Sequence, residues 1–274
     1  MPNSKKNKTE DDNAFKAIMA STSIKEFIDA MNLYGCQRCT LSQHNNRIVI
    51  CRGRLTADIM MIGEAPGKIE DQQGLPFVGP AGMLGDRMFA SIGINTNHDM
   101  YITNVCLCRP VAPRGSGKQN YTPLMEQRAL CLPYQIKQIS LLDPKLIILA
   151  GLTAARAFLG TKMVQTMKQA AGKLFLPENG PLAGRHTFVL YHPAFLIHAK
   201  KKGEEIYKQI RQDTWKHLQI LRDKIEELDI EVSGTRHICS VCNEGFISRR
   251  PYFVEGRPVC ASCGKRSHVI NEYL

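Results

Sequence analysis

The sequence predicts a three-layer α/β/α fold with a central, mostly parallel sheet, followed by a small C-terminal zinc-ribbon-like module. Short apolar runs typical of buried strands alternate with segments of helical period, as in parallel sheets that helices cover on both faces. The chain has 274 residues, of which 43% are hydrophobic and 22% charged, which suits one ordinary domain with a small appendage. After residue 233 the helical period ends, and cysteines and turn residues become frequent.

These features divide the chain into three parts. Residues 1–14 are predicted to be a disordered polar tail, residues 15–232 the α/β/α domain, and residues 233–274 the zinc-ribbon-like module. The lysines of the tail have no apolar segment behind them, so the tail is neither a signal peptide nor a membrane anchor. No apolar run approaches the roughly 20 residues that a membrane helix needs. We therefore expect an intracellular protein that is not secreted and has no membrane partner.

The elements of the main domain follow from local pattern. Ser23 and Glu26 form a capping box that opens a helix, and Gly35 stops it. Apolar periodicity then predicts, in chain order, strands at 47–53 and 57–63, a helix from the GPAG at 79–82 to about 92, a strand at 100–106, a helix at 123–142, a strand at 145–151 with a helix behind it, a strand at 186–192, and one or two amphipathic helices between 193 and 228.

The net charge and the cysteine content restrict the function. A formal charge of +11 favours a polyanionic partner such as nucleic acid, although ordinary solubility is the alternative explanation. The sequence contains ten cysteines and no secretory signal, which argues against a disulfide framework and for metal-binding or catalytic use.

The C-terminal cysteines have the spacing of a zinc ribbon. Cys239 and Cys242 form one C-x2-C pair, and Cys260 and Cys263 form a second one seventeen residues later. Two such pairs fall within the known two-knuckle window and would present four thiolates to one tetrahedral ion. We predict zinc, with a rubredoxin-like iron site as the alternative. The ribbon would contact DNA or dock to a replication or repair protein, or its aromatic residues would only form its own core.

A second set of cysteines lies in the main domain. Cys36 and Cys39 form a C-x2-C pair after the first helix, and the stretch CLCRPVAPRGSGKQNYTPLMEQRALC (106–131) supplies three more cysteines. A four-thiolate site assembled from these segments would suit zinc or a [4Fe–4S] cluster, and the spacing does not separate the two. Cys51 lies within an apolar strand and is predicted to be a core thiol.

A group of polar and aromatic residues is predicted at the carboxyl edge of the sheet. The loop GEAPGKIEDQQGLPFVGPAG (63–82) follows a buried strand, which is where such folds bind ligands, but it has no Gly-Lys-Ser/Thr of a Walker loop. Two further strands end in ITN and YHPAF. These segments bring together Glu64, Phe77, Asn104 and His192, a set suited to a small, planar, hydrogen-bonding ligand.

Six motifs, in order, resemble the family 4 uracil-DNA glycosylases, the iron–sulfur branch of that superfamily. They are GEAPGKIED, GLPFVGPAG, YITNVCLCRP, CLPYQI, KLIILAGLTAARAFLG and YHPAFL, and the resemblance covers roughly residues 30–215. It implies a monomeric, monofunctional enzyme that flips uracil out of single- or double-stranded DNA and hydrolyses its N-glycosidic bond, leaving an abasic site. It also implies a [4Fe–4S] cluster, positioned on Cys36, Cys39, Cys108 and Cys131, with Cys106 in the core.

The resemblance assigns a role to each residue of the predicted site. Phe77 would stack on uracil, Asn104 would bind its N3–H and O4, and Glu70 would obstruct the methyl group of thymine. His192 would donate to uracil O2 as the bond breaks, and Leu196 would be the apolar wedge that fills the vacated stack. The backbone that lines the pocket would come from Gly63, Glu64 and Ala65, and Glu64 and Ala65 are assigned to the catalytic set with His192.

Three features depart from the family pattern. Ala65 stands where other branches of the superfamily have an Asp or Asn that positions the attacking water. The segment between Cys108 and Cys131 is longer than expected, and its basic residues at 109–120 would either track phosphates or form a surface insertion. The zinc-ribbon-like module is not part of the pattern. The competing functions are a uracil-DNA or damaged-DNA binding protein without turnover, a glycosylase for deaminated purines, and a cluster-bearing scaffold in a replication complex.

Overall fold

The computed structural model describes residues 4–112, 120–238, 245–248, 252–254 and 257–259, and it describes side chains between residues 9 and 234 except for 113–119. The helices in this part of the chain are α1 (Ser4–Met19), α2 (Ile24–Tyr34), α3 (Lys68–Gln73), α4 (Pro80–Ala90), α5 (Met125–Leu142), α6 (Leu152–Leu159), α7 (Met167–Ala170), α8 (Pro193–Lys200) and α9 (Glu204–Glu227), with a 3-10 turn at Thr40–Gln43. None of them is long and apolar enough to cross a membrane.

A six-stranded sheet organises the main domain. Its strands are β1 (Arg52–Gly53), β2 (Ile59–Gly63), β3 (Met100–Asn104), β4 (Leu146–Ala150), β5 (Leu174–Phe175) and β6 (His186–Leu190), in the spatial order β1-β3-β2-β4-β6-β5. The four central strands are parallel, and the two short edge strands are antiparallel to their neighbours. The carboxyl ends of the parallel strands therefore lie along one edge, where Gly63 pairs with Asn104 and Ala150 with Leu190.

Alternate residues of the central strands enter two separate cores. In β2, Met60 and Ile62 pack on one face of the sheet, whereas Ile59 and Met61 pack on the other. All five residues of β2, β3 and β4 are buried, because helices cover both faces. The prediction of a mixed α/β fold with helices on both sides of a mostly parallel sheet is confirmed.

Helix α2 begins and ends where its capping residues predict, whereas α1 covers a segment for which no helix is predicted. The Ser23 hydroxyl accepts a hydrogen bond from the Glu26 N–H at 3.2 Å, and Gly35 ends α2 with φ 67°. Residues 4–14, predicted to be a disordered tail, lie in α1 instead. Its last turns are anchored because the Phe15 ring meets the Tyr134 ring edge-on, with 5.5 Å between the ring centroids.

All five predicted strands are shorter in the structure, the first most of all, and the short elements α3, α7 and β5 have no sequence signal. The strand expected at 47–53 is regular only at Arg52–Gly53, although the Val49 N–H still bonds to the Leu107 carbonyl at 2.8 Å. The strand expected at 100–106 ends at Asn104. Each of these three elements is too short to show a period.

The C-terminal segment forms two antiparallel pairs in the residues that are described. β7 (Thr235–Ile238) pairs with β8 (Gly245–Ser248), and β9 (Tyr252–Val254) pairs with β10 (Arg257–Val259). Just before β7, Ser233 bonds through its N–H and hydroxyl to the Asp99 carboxylate. The four ribbon cysteines, Cys239, Cys242, Cys260 and Cys263, lie outside the described residues, so the zinc site and the module boundary stay predictions.

Candidate active site

A cavity of about 900 Å³ opens at the carboxyl edge of the parallel sheet. Its wall contains loop residues after each of the four parallel strands, together with part of the segment between β3 and α5. Six predicted site residues line it directly, namely Glu64, Ala65, Glu70, Phe77, Asn104 and His192. The segments that follow the parallel strands therefore meet at one cavity, as the sequence pattern predicts.

Gly63 makes room for two of these side chains. A Cβ atom at this position would lie 2.5 Å from Cζ of Phe77 and 2.5 Å from Oδ1 of Asn104, closer than real Cβ contacts allow. Only glycine lets the Phe77 ring and the Asn104 amide approach the end of β2 in this way. Gly63 itself does not line the cavity, but the absence of its side chain lets Phe77 and Asn104 lie where they do.

Phe77 is held in an unusual backbone conformation. Its φ is 56°, a left-handed value that costs a bulky residue on the order of 1–3 kcal/mol and persists only where the surroundings enforce it. The first turn of α4 does so, since it lies so close that a Cβ at Gly82 would collide with the Phe77 carbonyl group. The ring is 5% exposed, and only a limited part of it faces the cavity.

His192 ends the strand-to-helix connection after β6 and caps α8. Its Nδ1 accepts a hydrogen bond from the Ala194 N–H at 3.2 Å, which leaves the ring proton on Nε2. Burial, assisted by the nearby His198, lowers the pKa of His192 to about 4. The ring is therefore a neutral N–H donor at neutral pH. It lies beside Phe77, with 5.4 Å between the ring centroids and 31° between the planes.

The two carboxylates of the wall are both fixed by hydrogen bonds. Glu64 accepts a bond from the Thr153 hydroxyl, near the start of α6. Glu70 accepts a bond from the Gly79 N–H at 2.8 Å. The Glu70 contact fastens α3 to the loop that carries Phe77, so this carboxylate shapes the cavity wall as well as lining it.

The structure places Leu196, the predicted DNA wedge, in the core. This side chain is 3% exposed and packs between the sheet and α9, and its role as a wedge stays a prediction. The reason is helical phase: Pro193, Leu196 and Ala199 form the inner face of α8. Its neighbour Phe195 is 39% exposed and lines the cavity.

Among the wall residues that sequence patterns do not single out are Thr153 and Tyr121. Thr153 has a weak signal, because it follows the carboxyl end of β4 by only three residues. Tyr121 has none, because the hydrogen bond from Gln127 that fixes its ring is not visible in any periodic pattern.

The cysteines of the main domain gather at a second, much smaller cavity. Cys36, Cys39, Cys108 and Cys131 all line it, whereas the fully buried Cys106 does not. Three sulfur atoms accept hydrogen bonds: Cys36 from the Tyr134 hydroxyl at 3.4 Å, Cys108 from the Asn45 amide at 3.5 Å, and Cys131 from the Leu107 N–H at 3.4 Å. Within the described part of the chain, no group of three or more His, Cys, Asp or Glu residues could hold a metal ion as placed.

Burial and the proximity of the cysteines to one another disfavour thiolates at three of these positions. Burial raises the pKa of Cys36, Cys39 and Cys108, and the proximity of Cys131 raises each of them further. Cys106 donates a hydrogen bond to Cys131 and lowers its pKa. Thiolates at four such positions would repel one another, so a positively charged partner is needed to hold them deprotonated together.

Comparisons with known proteins agree with this architecture. The family model described as "Uracil DNA glycosylase superfamily" matches residues 51–219. A protein of Pyrobaculum aerophilum named "Type-4 uracil-DNA glycosylase" is 34% identical over 179 residues, which cover 64% of this chain and 86% of that protein. Proteins of the same name from Thermotoga maritima and Archaeoglobus fulgidus are 32% and 33% identical, covering 65% and 63% of this chain and 85% and 83% of their own lengths.

Proposed function

Because the chain belongs to the uracil-DNA glycosylase superfamily, among the type-4 enzymes, we infer that it is a uracil-DNA glycosylase that removes uracil from DNA in repair. The reaction is hydrolysis of the N-glycosidic bond, and it leaves an abasic site. The observation that carries this function is the convergence of Phe77, Asn104 and His192 on one cavity around Gly63.

We propose that Phe77 and Asn104 select the base. A uracil flipped out of the strand would stack on the Phe77 ring, while the Asn104 amide accepts from N3–H and donates to O4. Cytosine presents the reverse order of donor and acceptor at these two positions. A site built to match one order rejects the other strongly, because its own polar groups would be left unpaired.

His192 supports departure of the base. Negative charge develops on uracil O2 as the glycosidic bond breaks, and a donor aimed at that atom lowers the barrier most when it is already in place. The Ala194 N–H fixes the His192 ring in the tautomer that donates from Nε2. The low pKa keeps the ring neutral, so it donates a hydrogen bond without bringing a full charge.

The attacking water needs a polar neighbour that Ala65 does not supply. We propose that Glu64 takes this role, since its carboxylate lines the cavity and is oriented by the Thr153 hydroxyl. A carboxylate there would also favour the positive charge that develops on the sugar as the base leaves. Ala65 would contribute only its backbone and a methyl group to the wall.

For the cysteine set we propose a [4Fe–4S] cluster rather than a single ion, as the resemblance to the type-4 enzymes implies. Four thiols line one cavity, and three of the sulfurs accept hydrogen bonds, which would tune a bound cluster. When bound, the cluster would cross-link the end of α2, the segment after β3, and α5. Hydrolysis needs no electron transfer, so we assign it a positioning role. For the C-terminal cysteines we propose zinc, on their spacing alone.

Base release from defined oligonucleotides tests the function. The substrates carry uracil, hypoxanthine, or thymine opposite guanine, and the protein is in excess so that a single turnover is followed. We expect release of uracil and retention of thymine, with His192→Ala as the impaired control. Binding without release would identify a damage sensor, and faster release of hypoxanthine than of uracil would identify a purine enzyme.

A further inference from the structure

Part of the cavity wall is left unused by the contacts proposed for uracil. At about 900 Å³, the cavity is near the upper end of the ~300–1,000 Å³ that enclose drug-sized ligands, so a single pyrimidine leaves much of it empty. Pro110, Asn120 and Tyr121 form a section of wall that comes from the segment between β3 and α5. Of these three, only Tyr121 offers a ring on which a second base could stack.

Tyr121 is fixed before any substrate arrives. Its hydroxyl accepts a hydrogen bond at 2.8 Å from Nε2 of Gln127, which is 4% exposed. The same Nε2 donates to the Thr40 hydroxyl at 2.9 Å, and the Gln127 carbonyl accepts from the Leu124 N–H at 2.9 Å. Every polar group of the Gln127 side chain is thus engaged. The ring is tied both to α5 and to the turn that follows Cys39.

The two ends of the segment are also joined to each other. The Tyr121 N–H bonds to the Pro110 carbonyl at 3.1 Å, and Nε of Arg109 donates to Oδ1 of Asn120 at 2.7 Å. Val111 and Asn120 form an isolated antiparallel bridge. These contacts hold the Tyr121 backbone at the cavity independently of Gln127. A ring that is preorganised in this way loses little conformational entropy on binding.

We propose that Tyr121 forms a second aromatic subsite, which stacks the base next to the flipped uracil when the substrate is single-stranded DNA. The proposal rests on the proposed function. A neighbouring base in a duplex stays paired and stacked, so only a single strand can bring two unstacked bases into one cavity. Lys68, which lines the same cavity, supplies a positive charge that suits a phosphate of that strand.

The test compares Tyr121→Ala with Tyr121→Phe on matched single-stranded and duplex substrates. Stacking of one base on an aromatic ring contributes about 1–3 kcal/mol, which corresponds to roughly a 5- to 150-fold change. We expect Tyr121→Ala to raise KM on single strands by such a factor, with kcat nearly unchanged and duplex activity retained. Tyr121→Phe keeps the ring and should stay close to wild type. Tyr207→Ala, which removes a tyrosine outside the cavity wall, should have no effect on either substrate.

A substrate change completes the test. Two single-stranded substrates are made, in which the base on one side or on the other side of the uracil is replaced by an abasic analogue. With the wild-type protein, only one of the two substrates should show the same increase in KM. With Tyr121→Ala, neither substrate should raise KM further. Equal losses on single and double strands, or a loss in kcat alone, would overturn the subsite and leave Tyr121 as a structural residue. If wild type releases no uracil from any strand, the proposed function itself fails, which is a different result.

Discussion

Replacement of Gly63 by alanine tests how the base pocket is packed. The added Cβ would lie 2.5 Å from Phe77 Cζ, 2.7 Å from its Cε2, and 2.5 Å from Asn104 Oδ1. Gly63 has no left-handed φ, so its backbone tolerates alanine and only these side chains have to move. The Phe77 backbone cannot retreat, because the first turn of α4 lies against it at Gly82.

The expected magnitude follows from the cost of overpacking. An extra carbon in a well-packed site costs about 1–3 kcal/mol. Here the displaced groups are those proposed to hold the base, so the cost should fall on kcat/KM. With about 1.4 kcal/mol for each factor of ten, kcat/KM for uracil release should drop roughly 5- to 150-fold.

Single-turnover base release, together with thermal unfolding, measures this effect. In a Phe77→Ala background, one of the two collisions is gone, so Gly63→Ala should reduce kcat/KM by a smaller factor. Substitutions at residues in contact are expected to have non-additive effects. Gly160→Ala is the control, because this glycine has φ 82° but nothing within 4 Å of the added atom. It should reduce stability and leave base release unchanged. The packing argument is refuted if Gly63→Ala keeps wild-type activity, or if its cost is identical in both backgrounds.

Four further outcomes are expected. His192→Ala should slow base release roughly 10²–10³-fold, while its affinity for uracil-DNA stays within a few fold of wild type. Because the pKa of His192 is about 4, the pH profile of the wild-type rate should show no titration of this group near pH 6.5. A break in the profile near pH 6.5 that His192→Ala abolishes would contradict the assignment. The folded ring resists protonation while the unfolded ring takes up a proton below its ordinary pKa of 6.5, so this group should lower stability as the pH falls from 6.5 towards 4. Protein purified without oxygen should contain about four iron atoms and acid-labile sulfide per chain, both diminished in Cys131→Ser, whereas zinc alone would exclude the cluster. Truncation after Leu228 should weaken DNA binding and leave single-turnover base release unchanged. The slope of the log binding constant against the log salt concentration should flatten by about 0.7–0.9 for each lost phosphate contact. An unaltered slope would show that the ribbon does not bind DNA.

The parallel strands and their edge could be predicted because the information is local. β2, β3, β4 and β6 are continuous apolar runs, buried on both faces, and each prediction holds to within about two residues of the observed strand. Asn104 ends β3 and His192 follows β6 by two residues, so strand polarity alone brings them to one edge.

What the sequence patterns leave out is information that is not local. The phase of α8 is set by where His192 caps it and by packing against α9, which decides that Leu196 faces inward and Phe195 outward. The Tyr121 ring is fixed by Gln127, whose side-chain amide also bonds to Thr40, 87 residues earlier in the chain. No periodic pattern carries such a contact.

A chain of hydrogen bonds connects the cysteine set to the base pocket. Through this chain, the proposed cluster could position the residues of the pocket. The Asn45 amide donates to the Cys108 sulfur, and the next residue, Asn46, bonds through its backbone N–H at 2.8 Å and through its side chain to Asp71. Asp71 is fully buried in α3, the helix that holds the Phe77 loop through Glu70. A cluster that fixes Cys108 therefore also fixes the wall against which uracil would stack. Its loss should loosen base recognition before it unfolds the sheet, because β2, β3 and β4 are buried independently of these loops.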